Sequence, residues 1–258
     1  MVGPQRTGTT WLHQILVRHP EVFLAEPKEL YFFSRLKDRT SERFQSAELD
    51  WYLDHFRIGA KRWLASQAWS LSHLGRPWRP RIRGEATASY AAMDLDLIEE
   101  IATLRPDVKV LLMVRHPVDR AWSHAKKDLV RNRRRSAAAV GDDEWRAFFR
   151  DPYQLRCARY EQNLANWRRC FAESSVFVGT FEEVEQTPVE LLGRVTRFLG
   201  VCDDPKLVDP RLLHSAVNPT GRSEIPERLR VYLETLLADE IEGWRRLTAR
   251  EPAALHSA

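Results

Sequence analysis

The segment Gly3-Pro4-Gln5-Arg6-Thr7-Gly8-Thr9-Thr10 constrains this chain more than any other. It sets two glycines around four residues, between the end of a short apolar strand at Val2-Gly3 and an amphipathic stretch that starts at Thr9. Glycine lets backbone approach an anion closely, and the first N–H groups of a helix point outward with partial positive charge. A loop of this kind between strand and helix is a phosphate cradle, with the Thr9 and Thr10 hydroxyls as further donors. A glycine-containing turn capped by threonine is the plain alternative. A nucleotide triphosphatase would carry lysine after Gly8 and then a magnesium-binding serine or threonine. Here Thr9 stands in that place and the cation sits upstream at Arg6, a departure that points away from Mg-ATP.

The rest of the chain alternates helical and strand patterns. Trp11, Leu12, Ile15 and Leu16 make the buried stripe of a helix from about Thr9 to Arg18, stopped by Pro20. Further helices are expected at Glu48–Phe56, Leu95–Leu104, Pro117 to about Val130, Asp143–Arg150, Arg156–Ala172, Pro188–Leu199, Pro226–Ala238 and Glu240–Thr248. Arg81–Ala86 reads as a weak strand and Val176–Val178 as a short buried one. Val108–Val114 is the clearest strand, near-continuously apolar as in a parallel sheet covered on both faces. The expected fold is α/β: a phosphate-loop-containing three-layer architecture with a central, mainly parallel sheet flanked by helices. No interdomain linker is visible, so residues 1–258 read as a single domain.

A second basic motif begins at the carboxyl end of the strong strand, where ligands gather in open α/β sheets. Arg115 offers a planar fork to a phosphate where a metal-using enzyme would often place an aspartate, and Ser123 follows two helical turns later. Alone, an arginine after a strand is a surface ion-pair partner; beside the first loop, it is a second anion site.

Arg6-Thr7-Gly8-Thr9-Thr10-Trp11 resembles the 5′-phosphosulfate loop of sulfotransferases, and Arg115…Ser123 resembles their 3′-phosphate motif. Lys28-Glu29-Leu30-Tyr31-Phe32-Phe33, Asp50-Trp51-Tyr52, Gly84-Glu85-Ala86-Thr87-Ala88-Ser89-Tyr90 and Asn218-Pro219-Thr220-Gly221-Arg222 match in the same order. The likeness is greatest to the branch with heparan sulfate and many bacterial sulfotransferases.

The resemblance implies 3′-phosphoadenosine-5′-phosphosulfate (PAPS) as co-substrate, without a metal. Arg6, Thr7, Gly8, Thr9 and Thr10 would hold its 5′ end, and Arg115 and Ser123 its 3′-phosphate. Gly221 and Arg222 would close over that phosphate. Trp11 would stack on adenine, or serve as plain helix core. Glu29 would be the general base and Arg6 the cation that stabilises the leaving group. His73 and His124 are alternative bases. The segment Glu85-Ala86-Thr87 lacks a lysine common in the heparan sulfate enzymes, and Lys127 is a candidate to compensate. Both departures weaken transfer of glycosaminoglycan specificity. The expected acceptor is a small molecule, lipid or glycan.

Composition narrows the remaining options. Net charge is +4 with pI near 9.1, which suits anionic ligands without demanding nucleic acid. No aromatic–basic recognition motif supports an RNA-binding module, the third class after a nucleotide or small-molecule kinase. No apolar run reaches the roughly 18 residues of a membrane span. No signal-peptide pattern opens the chain, and three cysteines without CxxC spacing suit a reducing compartment, so a cytoplasmic protein is expected. The run Arg131–Arg135 either steers an anionic acceptor or solvates a mobile loop. Tyr31, Phe32, Phe33, Trp51, Tyr52, Trp63 and Trp69 line an acceptor pocket or fill the core.

Overall fold

The computed structural model describes residues 1–213 and 225–250. Among the described residues four short strands carry the sheet: β1 (Val22–Leu24), β2 (Ile82–Gly84), β3 (Val110–Val114) and β4 (Val176–Thr180). β1 pairs with β2 and β3 with β4, both parallel. Met1 and Val2 join the two pairs. Val2 N–H donates to Leu111 O at 2.8 Å, Met113 N–H to Val2 O at 3.1 Å, and Thr87 N–H to Met1 O at 3.2 Å. The order across the sheet is therefore β1, β2, Met1–Val2, β3, β4. The loop that starts at Gly3 leaves from its middle.

The helices are α1 (Thr9–Leu16), α2 (Phe32–Arg35), α3 (Leu49–Asp54), α4 (Ala60–Leu74), α5 (Leu95–Leu104), α6 (Pro117–Ala125) and α7 (Asp142–Arg150). They continue as α8 (Pro152–Ala158), α9 (Tyr160–Cys170), α10 (Phe181–Gln186), α11 (Pro188–Leu199), α12 (Pro210–Leu213), α13 (Glu227–Leu236) and α14 (Ala238–Arg250). β3 shows why they form layers. Val110, Leu112 and Val114 pack with Ile98 of α5 and with Leu164 and Trp167 of α9. Leu111 and Met113 point the other way, onto Trp11, Leu12 and Ile15 of α1 and Leu191 and Val195 of α11. Both faces are covered, so the strand cannot alternate apolar with polar residues. Leu112, Met113 and Val114 are wholly buried, each worth about 1.5–3 kcal/mol against exposure. A third cluster of Val118, Trp122, Trp145, Leu229 and Leu233 gathers α6, α7 and α13. The expected α/β three-layer fold is the observed one.

Three local expectations change. The helix after Pro117 is α-helical only to Ala125 and continues as a π-helical segment, Lys126–Arg131. The single helix expected over Arg156–Ala172 is two, broken at Arg159 (φ −76°, ψ 62°). Asn163 reinforces that break by donating from Nδ2 to Arg156 O at 2.9 Å, a carbonyl that also accepts from Arg159 N–H at 3.3 Å. Helix α4 carries too weak an apolar stripe to be expected, because only Ser70 among its residues is buried. It lies along the sheet edge, where Arg62 donates from Nη2 to Leu24 O at 2.9 Å and stacks 4.4 Å from the Phe23 ring centroid. That contact covers an edge strand that would otherwise be open.

Candidate active site

The Gly3–Thr10 loop is held by its own backbone. Gly3 has φ 155°, and a Cβ there would sit 2.8 Å from Thr9 Cγ2 and 2.9 Å from Met113 O, so only glycine lets the loop leave the sheet this closely. Arg6 takes φ 77° and Gly8 φ 92°. The left-handed region is rare for a residue with a side chain, and strain of this kind gathers at ligand-binding segments. Thr7, 0 % exposed, donates from Oγ1 to Pro4 O at 2.8 Å and locks the turn. Gly8 then caps α1 without a side chain, so that end of the helix carries backbone N–H groups rather than an oxygen cap.

The second motif meets the first. Ser123 Oγ accepts from Arg6 Nε at 2.9 Å, and Arg115 donates from Nη1 to Arg6 O at 3.3 Å. The Arg115 guanidinium lies 4.0 Å from the centroid of Phe181, the first residue of α10. Beside it His116 N–H donates to Glu182 Oε1 at 3.0 Å. Arg6, Arg115 and Lys126 are all held below their ordinary pKa, first by burial. At Arg6 the charges of Arg115 and Arg131 push further down, and at Lys126 those of Arg115 and Arg6 do so. Partly buried cations that repel one another are a site that an anion would relieve.

The segment with the candidate base closes the third side. Lys28 donates from Nζ to Thr10 Oγ1 at 3.0 Å, joining it to the loop. Burial holds the Lys28 ammonium below its usual range; the Glu29 charge opposes that and Lys127 reinforces it. Glu29 is half-buried, and among the described residues its buried Oε2 has no hydrogen-bond partner. The Tyr31 hydroxyl is pushed up to about 12, first by burial and then by the Glu29 charge. Gln5 and Tyr153 exchange hydrogen bonds: Gln5 Nε2 to the hydroxyl at 2.7 Å, and the hydroxyl to Gln5 Oε1 at 3.0 Å. Burial raises the Tyr153 pKa, with the Glu29 charge a smaller contributor. Arg6, Thr7, Gly8, Thr9, Thr10, Arg115, Ser123, Glu29 and Lys127 therefore belong to one neighbourhood.

Other expected residues are placed differently. Trp11 is 2 % exposed in the apolar cluster beneath the sheet, its indole N–H donating to Leu212 O at 3.0 Å. Gly221 and Arg222 lie outside the described residues. His124 is buried, with Nδ1 2.9 Å from Gln154 Oε1 and Nε2 3.4 Å from Asp128 Oδ2. His73 stacks on Trp69 of its own helix at 4.9 Å. Arg133 and Arg135 bond Glu144 Oε1 at 2.7 and 2.8 Å, which ties the basic run to α7. Phe32, Phe33, Trp51 and Tyr52 share one core cluster, whereas Trp63 is exposed.

Sequence reading missed Gln5 as a loop anchor, Tyr153, and the buried Arg120, which donates to Gln154 Oε1 at 3.3 Å and to Gln154 O at 3.1 Å. Contacts 34 to 148 positions apart leave no local pattern. Among the described residues no group of three or more His, Cys, Asp or Glu side chains is placed to hold a metal, and no helix is long and apolar enough to cross a membrane.

The chain is similar to known proteins. A family model described as the Sulfotransferase family matches residues 1–205. The heparan sulfate glucosamine 3-O-sulfotransferase 6 of Mus musculus is 27 % identical over 210 residues, 78 % of this chain and 51 % of that protein. The bifunctional heparan sulfate N-deacetylase/N-sulfotransferase 4 of Mus musculus is 23 % identical over 214 residues, 78 % of this chain and 22 % of that protein. The chain thus spans about half the length of the first relative and about a fifth of the second. A crystal structure of a sulfotransferase from Alicyclobacillus acidocaldarius superposes with a TM-score of 0.65 at 25 % identity, covering 98 % of this chain and 96 % of that one. Mouse sulfotransferase SULT7A1, solved with PAP, shares the fold at a TM-score of 0.52 and 16 % identity, over 100 % and 87 % of the two chains.

Proposed function

Because the chain belongs to the sulfotransferase family, we propose that it moves a sulfuryl group from PAPS to a hydroxyl or amine acceptor. The observation that carries the reading is the contact of Arg6 Nε with Ser123 Oγ beside Arg115, which makes one basin of two anion cradles. The donor set suits a nucleotide with phosphate groups at both ends: a glycine-walled loop at a helix start for one, and a planar guanidinium with a buried hydroxyl for the other.

When bound, PAPS supplies the activated sulfur and a leaving phosphate oxygen. Arg6, Thr7, Gly8, Thr9 and Thr10 hold the phosphosulfate end; Arg115 and Ser123 hold the 3′-phosphate. A bond forms from acceptor oxygen or nitrogen to sulfur while the bond to the bridging oxygen breaks, and the electron pair leaves on that oxygen. Arg6 answers the charge that develops there, the logic of an anion hole. Glu29 takes the acceptor proton; its half-buried position, and an Oε2 without a hydrogen-bond partner among the described residues, suit that role. Lys28 bridges the base segment to the loop, and Lys127 adds positive charge beside it.

The acceptor class is a small molecule, lipid or glycan, and a glycan has the support of the relatives' names. A cytoplasmic setting belongs to the same proposal, in keeping with the free thiols of Cys157, Cys170 and Cys202. The test is transfer from sulfur-labelled PAPS to a panel of phenols, lipids, glycans and peptides, with binding of 3′-phosphoadenosine-5′-phosphate (PAP) measured by calorimetry. Label should move and PAP should bind without metal. Metal-dependent ATP binding that outcompetes PAP would instead favour a kinase.

A further inference from the structure

We propose that Glu85 is a positioning residue for the base, its carboxylate fixing through Thr87 the peptide that carries Glu29. The inference rests on the reading of Glu29 given above. Glu85 is 9 % exposed, yet among the described residues its side chain meets hydroxyls rather than a lysine or arginine. Tyr52 donates to Oε1 at 2.6 Å and Thr87 to Oε2 at 2.7 Å. Both hydroxyls donate to it, so the Thr87 hydrogen is directed at Glu85. The Thr87 oxygen then keeps a lone pair for the Leu30 N–H, which donates to it at 3.2 Å. Leu30 directly follows Glu29 in the chain.

The same hub grips the far side of the segment. Tyr52 stacks on Phe32 with ring centroids 4.8 Å apart, and the Tyr90 hydroxyl accepts from Phe33 N–H at 3.2 Å. Tyr31, between the anchored residues, holds φ 58°, a conformation that an aromatic residue adopts only when its surroundings impose it. Burial pushes the Glu85 carboxyl upward, so this group is a cost to the fold that an apolar residue would avoid. Its arrangement is the one needed to orient Thr87 toward Leu30. Glu85 lies behind the base segment and reaches it only through other residues.

Thr87→Val keeps the shape and removes the acceptor for Leu30; Thr87→Ser restores it; Glu85→Gln leaves one of the two hydroxyls without its acceptor. The readouts are PAP affinity by calorimetry, the rate of PAP release from PAPS with the acceptor panel, and amide hydrogen exchange across Lys28–Ser34. Misplacing a reacting group by about 1 Å can cost on the order of 100-fold in rate. The expected result for Thr87→Val is therefore a roughly 10- to 100-fold slower release, with unchanged PAP affinity and faster exchange at Leu30. Thr87→Ser should return turnover and protection, and Glu85→Gln should resemble Thr87→Val. Wild-type turnover in Thr87→Val would overturn this proposal alone. So would PAP affinity falling in step with turnover, since that marks general damage to the sheet. Wild-type protein that ignores PAP would overturn the proposed function itself.

Discussion

Arg6 and Ser123 are 117 positions apart in the chain, and the guanidinium Nε of one lies 2.9 Å from the hydroxyl of the other. The strand-to-helix loop and the helix after β3 thus form one basic wall rather than two separate sites. Arg115, bonded to Arg6 O, fixes the spacing between them.

Removing that arginine should weaken nucleotide binding more than it weakens the fold. Arg115→Ala takes away a planar donor pair while leaving β3 packed. A hydrogen bond to a charged group is worth about 1.5–3 kcal/mol, so PAP affinity should fall roughly 10- to 150-fold. Calorimetry on Arg115→Ala and Arg115→Lys measures it, and the lysine variant should recover only part of the loss.

Glu29→Gln is the complementary case. The amide keeps the size of the side chain and cannot take a proton. Turnover of labelled PAPS should drop by about 10²–10⁴ while PAP binding holds. Equal turnover in wild type and variant would remove Glu29 from the mechanism.

Gly3→Ala tests the loop itself. The new methyl would meet Thr9 Cγ2 and Met113 O, both closer than 3 Å, at a φ of 155°. Destabilisation of about 1–3 kcal/mol is expected, with loss of PAP binding. Urea unfolding monitored with and without PAP separates the two effects.

His13 predicts a dependence on pH. Burial, then the Lys28 charge, lowers its pKa from 6.5 to about 4 in the folded protein. Between those values the unfolded chain binds more protons than the folded one, so stability rises with pH. Folding stability should therefore fall as pH drops from about 6.5 toward 4. His13→Gln should flatten the slope, although His19, also lowered by burial, will leave part of it. Urea titrations across that range give the answer.

How legible the protein was depends on the reach of each interaction. Local rules placed α5 and α11 at their observed limits, because an apolar stripe and proline or acidic starts are read within a few residues. They missed β1, three residues long, and α4, whose partners lie on the sheet edge. They also missed α10, despite the Thr180–Glu183 capping box at its start.

The sequence by itself determined which groups are on offer: a glycine-walled loop with Arg6 at a helix start, an arginine at the end of an apolar strand, and a glutamate beside lysine. It also determined the layering, since β3 is apolar on both faces. Only the tertiary structure decided which of those groups share a basin, what Glu85 holds, and that Tyr153 latches Gln5. Side-chain hydrogen bonds act over about 3 Å in space and carry no trace of the distance along the chain that separates their partners.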